Sequence, residues 1–422
     1  MMETPPAGGA VSETMRDEVH DVHVPLRRNR SFARLWISQF LATLAWQVSA
    51  LAFPLLVLAA TRSPTQASII GALNYATILV YLPAGSLADR VNRRYLMVGC
   101  ALVEAVALGS VAVSVGTGHV WFWLLCAAAL LQGIAMELFS ITELSALPHI
   151  VSDEQVSEAA SWNVGRTAVA VLVAPSVGGA LFGLAHAAPF IAGFVACMLA
   201  CVLVVGLRQP LQASVRKAAE SVSKEDLVAG LKWLWRQRFL RAATIVTAGA
   251  EVTWGAIDLV IIFRAYEANA TAWEIGIMIG AMGAGGVLGS MVSGRVQRKF
   301  SLKQLVIGVF SSEAVLIGFL AFTNDPYAMA VIVFVASLGF PPWNGALAGA
   351  MMSRAPDGLR GRVSGAQKLI ISASLPLGVL AVGPIMEAGG GISGVVALVL
   401  WHWAVALFAI FSKSIRVPVA TE

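Results

Sequence analysis

Glu251, Trp254, Gly255 and Asp258 follow one another at spacings of three, one and three residues, so a helix would carry all four on one face. The two carboxylates then stand two turns apart, roughly 10 Å. Two acids with an indole between them suit two kinds of chemistry. They can hold a cation or an aromatic ring, or pass protons, because a carboxyl withdrawn from water favours its neutral form. A plainer arrangement stays open, with Asp258 at an outer surface and Glu251 paired to a neighbouring polar group.

These residues interrupt a long apolar stretch, where an ionisable side chain is costly and is a functional candidate by default. Glu137 and Arg166 interrupt two consecutive stretches in the same way and are able to pair. Glu104 and Glu313 rank lower, and Glu143 falls at the end of its stretch, where water reaches it. Gln47, Asn74, Tyr75, Asn163, Asn344 and His402 are pathway candidates, or plain interhelical hydrogen-bonding residues. No nucleophile–base constellation, phosphate-binding Gly-Lys motif or metal-ligand spacing occurs, so no enzyme activity, cofactor or metal is expected. Cys100, Cys126, Cys197 and Cys201 read as small packing residues.

The elements that must hold these groups follow from composition. Of the 422 residues 58% are hydrophobic and 13% charged, against roughly 25% charged in a soluble protein. Lipid is the natural solvent for much of such a chain. Twelve apolar runs reach the length of about 20 residues that crosses a bilayer as helix: 34–60, 65–88, 95–115, 119–145, 157–183, 187–207, 240–264, 272–294, 303–323, 326–352, 363–388 and 391–411. Helix is the expected spanning form, since each backbone polar group must be satisfied within its own segment. The expected fold class is therefore an all-α membrane protein with twelve transmembrane helices in two six-helix bundles.

Lys and Arg fix the expected orientation. They crowd the start of the chain, the loop with Arg90, Arg93 and Arg94, the segments 208–241, 295–303 and 354–368, and the C-terminus. In a twelve-span chain all of these lie on one side, and the other side holds only Arg62 and Arg264. Both termini are thus expected in the cytoplasm, with the net charge of +5 facing the anionic inner leaflet rather than nucleic acid. The polar start of the chain reads as a disordered tail, not a signal peptide.

The expected organisation is a tail over 1–30, a six-helix bundle over 31–207, a linker over 208–240, a second bundle over 241–412 and a tail over 413–422. Within the linker, Ser223 and Asp226 form a capping pattern, and Leu227, Leu231 and Leu234 mark an amphipathic helix on the membrane surface. The halves echo each other. Arg90-Val91-Asn92-Arg93-Arg94 after the second run matches Arg295-Val296-Gln297-Arg298-Lys299 after the eighth, each downstream of a Gly-Ser pair. Repeated halves around a central pathway are the pattern of a transporter.

The stretch "GSLADRVNRR" at 85–94 resembles the loop motif of the major facilitator superfamily, with Gly85, Leu87, Asp89, Arg90, Arg93 and Arg94 in place and Asn92 where a second Gly is usual. "LPHIVSDEQ" (147–155), "AGLKWLWRQRFLR" (229–241) and "RAPDGLRGRVSG" (354–365) resemble its macrolide-efflux and siderophore-export branch. In "VAPSVGGALFG" (173–183), Pro175, Gly178 and Gly179 match an antiporter motif in which Ala174 replaces the first Gly. The resemblance implies a latch in which Asp89, with the Arg residues of its loop, meets the start of the eleventh span. It implies alternating access, a small-molecule substrate, a monomer and a plasma-membrane location. Two proton-coupling devices known in relatives are missing: Ala45-Trp46 stands where many have Gly-Asp, and Ala129 where one group has Arg. Proton coupling then falls to Glu137, Glu251 or Asp258. The expected function is proton-coupled export of an amphipathic drug, antibiotic or siderophore. Metabolite uptake, or a non-transporting sensor or scaffold of the same fold, are the alternatives.

Overall fold

The computed structural model describes residues 25–75, 87, 91–207, 211 and 224–416. These form helices, with no strand among the described residues. In the first half α1 is Arg30–Thr61, α2 Pro64–Asn74, α3 Arg93–Gly116, α4 Phe122–Ala146, α5 Val156–Leu184 and α6 Ala188–Val205. The short α7, Lys224–Arg236, precedes the second half. There α8 is Arg238–Glu267, α9 Ala272–Lys299, α10 Leu302–Phe319, α11 Pro326–Ser337, α12 Phe340–Arg354 and α13 Arg360–Phe411, and Lys413–Arg416 (α14) ends the described chain.

Local chemistry sets the helix starts. Asn29 Oδ1 accepts from the N–H groups of Ser31 and Phe32 at 3.0 and 3.1 Å, capping α1. Ser63 caps α2, with Pro64 in the first turn, where a missing N–H costs nothing. Thr271 with Glu274, and Ser301 with Gln304, form capping boxes on α9 and α10.

Among the described residues ten helical segments are long and apolar enough to cross a membrane. The last, α13, has 52 residues, about 78 Å of helix against a bilayer core of about 30 Å. It is two crossings in near-continuous register, separated at Gly390, whose φ of 75° suits only a residue without Cβ. Counting α13 twice, the ten segments match every predicted run but the second. That run begins as α2, and residues 76–86 lie outside the described residues. The tenth run is broken into α11 and α12, because Pro341 and Pro342 lack the N–H groups that would reach the carbonyls of Ser337 and Leu338.

Within the first half, α1 packs on α5 and α6, and α3 on α4 and α6. In the second half, α8 packs along α13, and α9 along α11 and α12. Among the described residues the halves meet chiefly through α5 with α9 and α2 with α13, and α1 and α2 also touch α8. The core follows this pairing. At the end away from the chain termini one apolar cluster draws on both halves, including Leu56, Phe53, Ile261 and Val382. At the terminal end it divides in two, one cluster around Leu35, Met97 and Phe139 and the other around Phe310, Trp343 and Val363. The molecule is a wedge, closed at one end and split at the other.

The linker helix packs on the second half. Leu234 is fully buried in the second half's cluster, and a Cβ on Gly230 would strike the Arg362 carbonyl. Helix α7 is therefore docked on the start of α13, with Val228, Leu231 and Trp235 left outward. Ser223 lies outside the described residues. Gly230 lets the two backbones touch.

Candidate functional site

A cavity of about 850 Å³ fills the split. Helix α1 contributes Trp46 and Gln47, and Tyr75 follows from the end of α2. From α5 come Asn163, Thr167, Val171 and Pro175, from α8 Trp254 and Asp258, and from α9 Met282, Gly283 and Gly286. Phe340 closes one wall, with its ring 6.1 Å from that of Trp254. The outermost lining residues, Leu144 and Val164, are 65% and 72% exposed and lie toward the terminal end, so the cavity opens there.

Among the described lining residues Asp258 is the one charged side chain. Its Oδ1 is buried without a hydrogen-bond partner. Behind it and Tyr75 a narrow space of about 80 Å³ continues between Pro54, Gly71, Ile262 and Val379 toward the closed end. Asp258 thus sits at the bottom of the wedge, not at an outer surface. Glu251 shares its helix face but not the cavity lining, and it feels the charge of Glu313. Only Trp254 and Asp258 of the predicted quartet meet the open space as functional side chains.

Arg166 does not pair with Glu137. Its guanidinium lies 3.3 Å from Glu143 Oε1, with both side chains about 95% buried (5% and 4% exposed). Asn163 completes the unit, donating to Glu143 at 3.3 Å and accepting from Arg166 at 3.1 Å. Glu143 is therefore not in water. Six residues separate Glu137 and Glu143, roughly 120° around a helix, so Glu137 faces away. It looks across the split toward Lys368 of the second half.

Glu104 and Glu313, ranked as peripheral, are among the most buried acids, at 0% and 1% exposure. Glu104 lies 3.5 Å from Cys197 Sγ. His402 is equally buried and lies off the pathway, behind Trp254.

The glycine-proline motif of α5 sits at a three-helix crossing. Gly178 faces the Val48 carbonyl of α1, and Gly179 faces the Ala272 carbonyl of α9. Gly276 of α9 faces Pro175 in return. No Cβ fits at Gly179 or Gly276, so these residues set how closely the halves approach. Of the loop motif, Gly85, Asp89 and Arg90 lie outside the described residues. Arg93 donates to the Leu211 carbonyl at 3.0 Å and Arg94 to the Val205 carbonyl, tying α3 to the end of α6 and to the chain beyond it.

Sequence reasoning did not single out Thr167, Met282 or Phe340 as lining. Apolar and hydroxyl residues in a span carry no mark of which face meets a cavity; the interruption at Pro341-Pro342 was the available signal for Phe340.

The Major Facilitator Superfamily model matches residues 35–379. The chain is 25% identical over 397 residues to multidrug efflux pump Tap of Mycobacterium tuberculosis, covering 87% of this chain and 90% of that protein. Its fold is similar to nucleoside transporter NupG, with a TM-score of 0.73 at 14% identity over 92% of this chain and 99% of that one. It is also similar to a bacterial homologue of the lysosomal transporter Spinster in an inward-facing, unoccupied conformation, with a TM-score of 0.70 at 14% identity over 92% and 97%. The family match runs through both halves and the cavity between them, and the chain belongs to the Major Facilitator Superfamily as a multi-pass membrane transporter.

Proposed function

We propose that this protein is a proton-coupled exporter of amphipathic small molecules that carry a positive charge beside an aromatic or apolar body. The observation that carries the reading is the cavity floor. One carboxylate, Asp258, with an unpartnered buried oxygen, lies among Trp46, Tyr75, Trp254 and Phe340. A cation there gains the carboxylate and the aromatic faces together. The similarity to a multidrug efflux pump supports the direction of transport, and the Lys/Arg distribution supports a plasma-membrane orientation with cytoplasmic termini.

In this reading the wedge is the cytoplasm-open state of an alternating-access cycle. The bundles over 31–207 and 241–412 rock about the contacts of α2 with α13 and α5 with α9, with the linker over 208–240 following. The substrate enters from the cytoplasm and displaces the proton of Asp258. After the rocking motion an external proton returns to Asp258 and releases the substrate outward. One site that holds either a proton or a cation, never both, is sufficient for exchange.

The test uses inverted membrane vesicles with ethidium as a fluorescent lipophilic cation, with and without an imposed proton gradient. The expected result is gradient-driven uptake of ethidium into vesicles holding the wild type and none in vesicles holding Asp258→Asn. Equal uptake by both proteins would remove Asp258 from the mechanism. Uptake indifferent to the gradient would remove proton coupling.

A further inference from the structure

Behind the cavity wall lies a polar cluster that the proposed exchange at Asp258 does not use. His402 Nε2 lies 3.1 Å from Glu313 Oε2, with the side chains 0% and 1% exposed. His402 Nδ1 lies 3.0 Å from Thr253 Oγ1. Glu313 comes from α10, His402 from the second arm of α13 and Thr253 from α8. Glu313 Oε1 has no hydrogen-bond partner. The ring of Phe310, centred 6.0 Å from the imidazole, covers one side. Such a group is costly to bury unless it is fully paired, and a purely structural cluster would satisfy both carboxylate oxygens.

The cluster is built to accept a change of protonation. A hydroxyl donates or accepts as required. With a neutral imidazole whose Nε2–H faces Glu313, the Thr253 hydroxyl donates to Nδ1. With an imidazolium it accepts from Nδ1–H. Of the titratable groups around Glu313, His402 of α13 touches it and Glu251 of α8 is coupled to it electrostatically. The cluster also touches the cavity wall. Trp254 follows Thr253 directly; its indole Nε1 is buried without a hydrogen-bond partner while its ring lines the cavity.

We propose that Glu313 and His402 form a second proton-binding site, sealed within the second half and coupled to cavity occupancy through Trp254. The pair holds one proton when the cavity is empty, as imidazolium with carboxylate or as imidazole with carboxylic acid. A further proton converts the carboxylate beside an imidazolium to a neutral acid. An occupant that displaces the Trp254 indole disturbs the adjoining Thr253, the hydrogen-bond partner of His402, and changes the proton affinity of the pair. The inference rests on the transport reading for its purpose, but its test does not.

The experiment is a pH titration by infrared difference spectroscopy of the purified full-length protein in lipid nanodiscs, following protonated-carboxyl bands. Asp258→Asn is expected to remove one band and Glu313→Gln a different one. Thr253→Val is expected to leave the Glu313 band present and to shift its midpoint. Should Glu313→Gln not fold, the Thr253→Val midpoint decides. Titrating bands unchanged in Glu313→Gln, or an unmoved midpoint in Thr253→Val, would overturn the proposal. Ethidium is then added to the wild type. A shift of the Glu313 midpoint that is lost in Trp254→Ala supports coupling, and an equal shift in both proteins overturns it. If ethidium does not bind to the wild type at all, the substrate reading fails, and the pH titration still decides whether the second site exists.

Discussion

Glu387, near the end of the first arm of α13, accepts a hydrogen bond from Ser63 Oγ at 2.8 Å and one from the Thr65 N–H at 3.1 Å. Its carboxylate thereby caps the start of α2, where the helix dipole favours negative charge. The contact joins residues from opposite halves at the closed end of the wedge. Two close glycine contacts lie beside it, Gly71 against the Val379 side chain and Gly383 against the Ser68 side chain.

Removing that carboxylate should loosen the closed end. In a background free of native cysteines, Ala67→Cys, buried beside the narrow space behind Asp258, reports access from outside. Glu387→Ala should raise its labelling by a membrane-impermeant maleimide by about fivefold, the size of one charge-assisted cap. Unchanged labelling would show that glycine packing alone holds the end shut.

The Arg166–Glu143 pair should behave as buried ion pairs do. Arg166→Met leaves an uncompensated buried carboxylate and should cost about 3–5 kcal/mol, and Glu143→Gln a comparable amount. The double variant should recover a large part of that loss. A double-mutant cycle on unfolding in detergent measures it, and additive losses would mean that the residues do not act on each other.

Gly179→Val should abolish transport while the protein still inserts, because its Cβ has no room against the Ala272 carbonyl of α9. Gly183→Ala, one turn along α5 with nothing within 4 Å, should transport normally. Ethidium uptake into inverted vesicles compares the two. Loss of activity in both would point to helix propensity rather than to the contact.

Glu137 faces Lys368 across the open split. Reversing the charges one at a time, as Glu137→Lys or Lys368→Glu, should slow closure of the terminal end by like-charge repulsion, and the double exchange should restore it. Transport rates of the three variants measure this. An inactive double exchange would mean that position, not attraction, matters.

Much of the architecture was legible in the chain itself. Apolar runs of spanning length, caps such as Asn29 and Ser63, and Lys and Arg on alternate loops are local properties. A helix in lipid satisfies its own backbone, so its existence and length need no partner. The spacing of Trp254 and Asp258 likewise placed them on one face before any fold was known. What the tertiary structure alone decided is which faces meet. Glu143 rather than Glu137 reaches Arg166, Glu251 is left out of the cavity lining, and Glu313 and His402, 89 positions apart, become neighbours. Periodicity in a span that is apolar nearly all round does not distinguish lipid, partner helix and cavity. That choice belongs to close backbone approaches between distant segments, such as Gly179 on Ala272 and Gly378 on Val252, and no single segment encodes it.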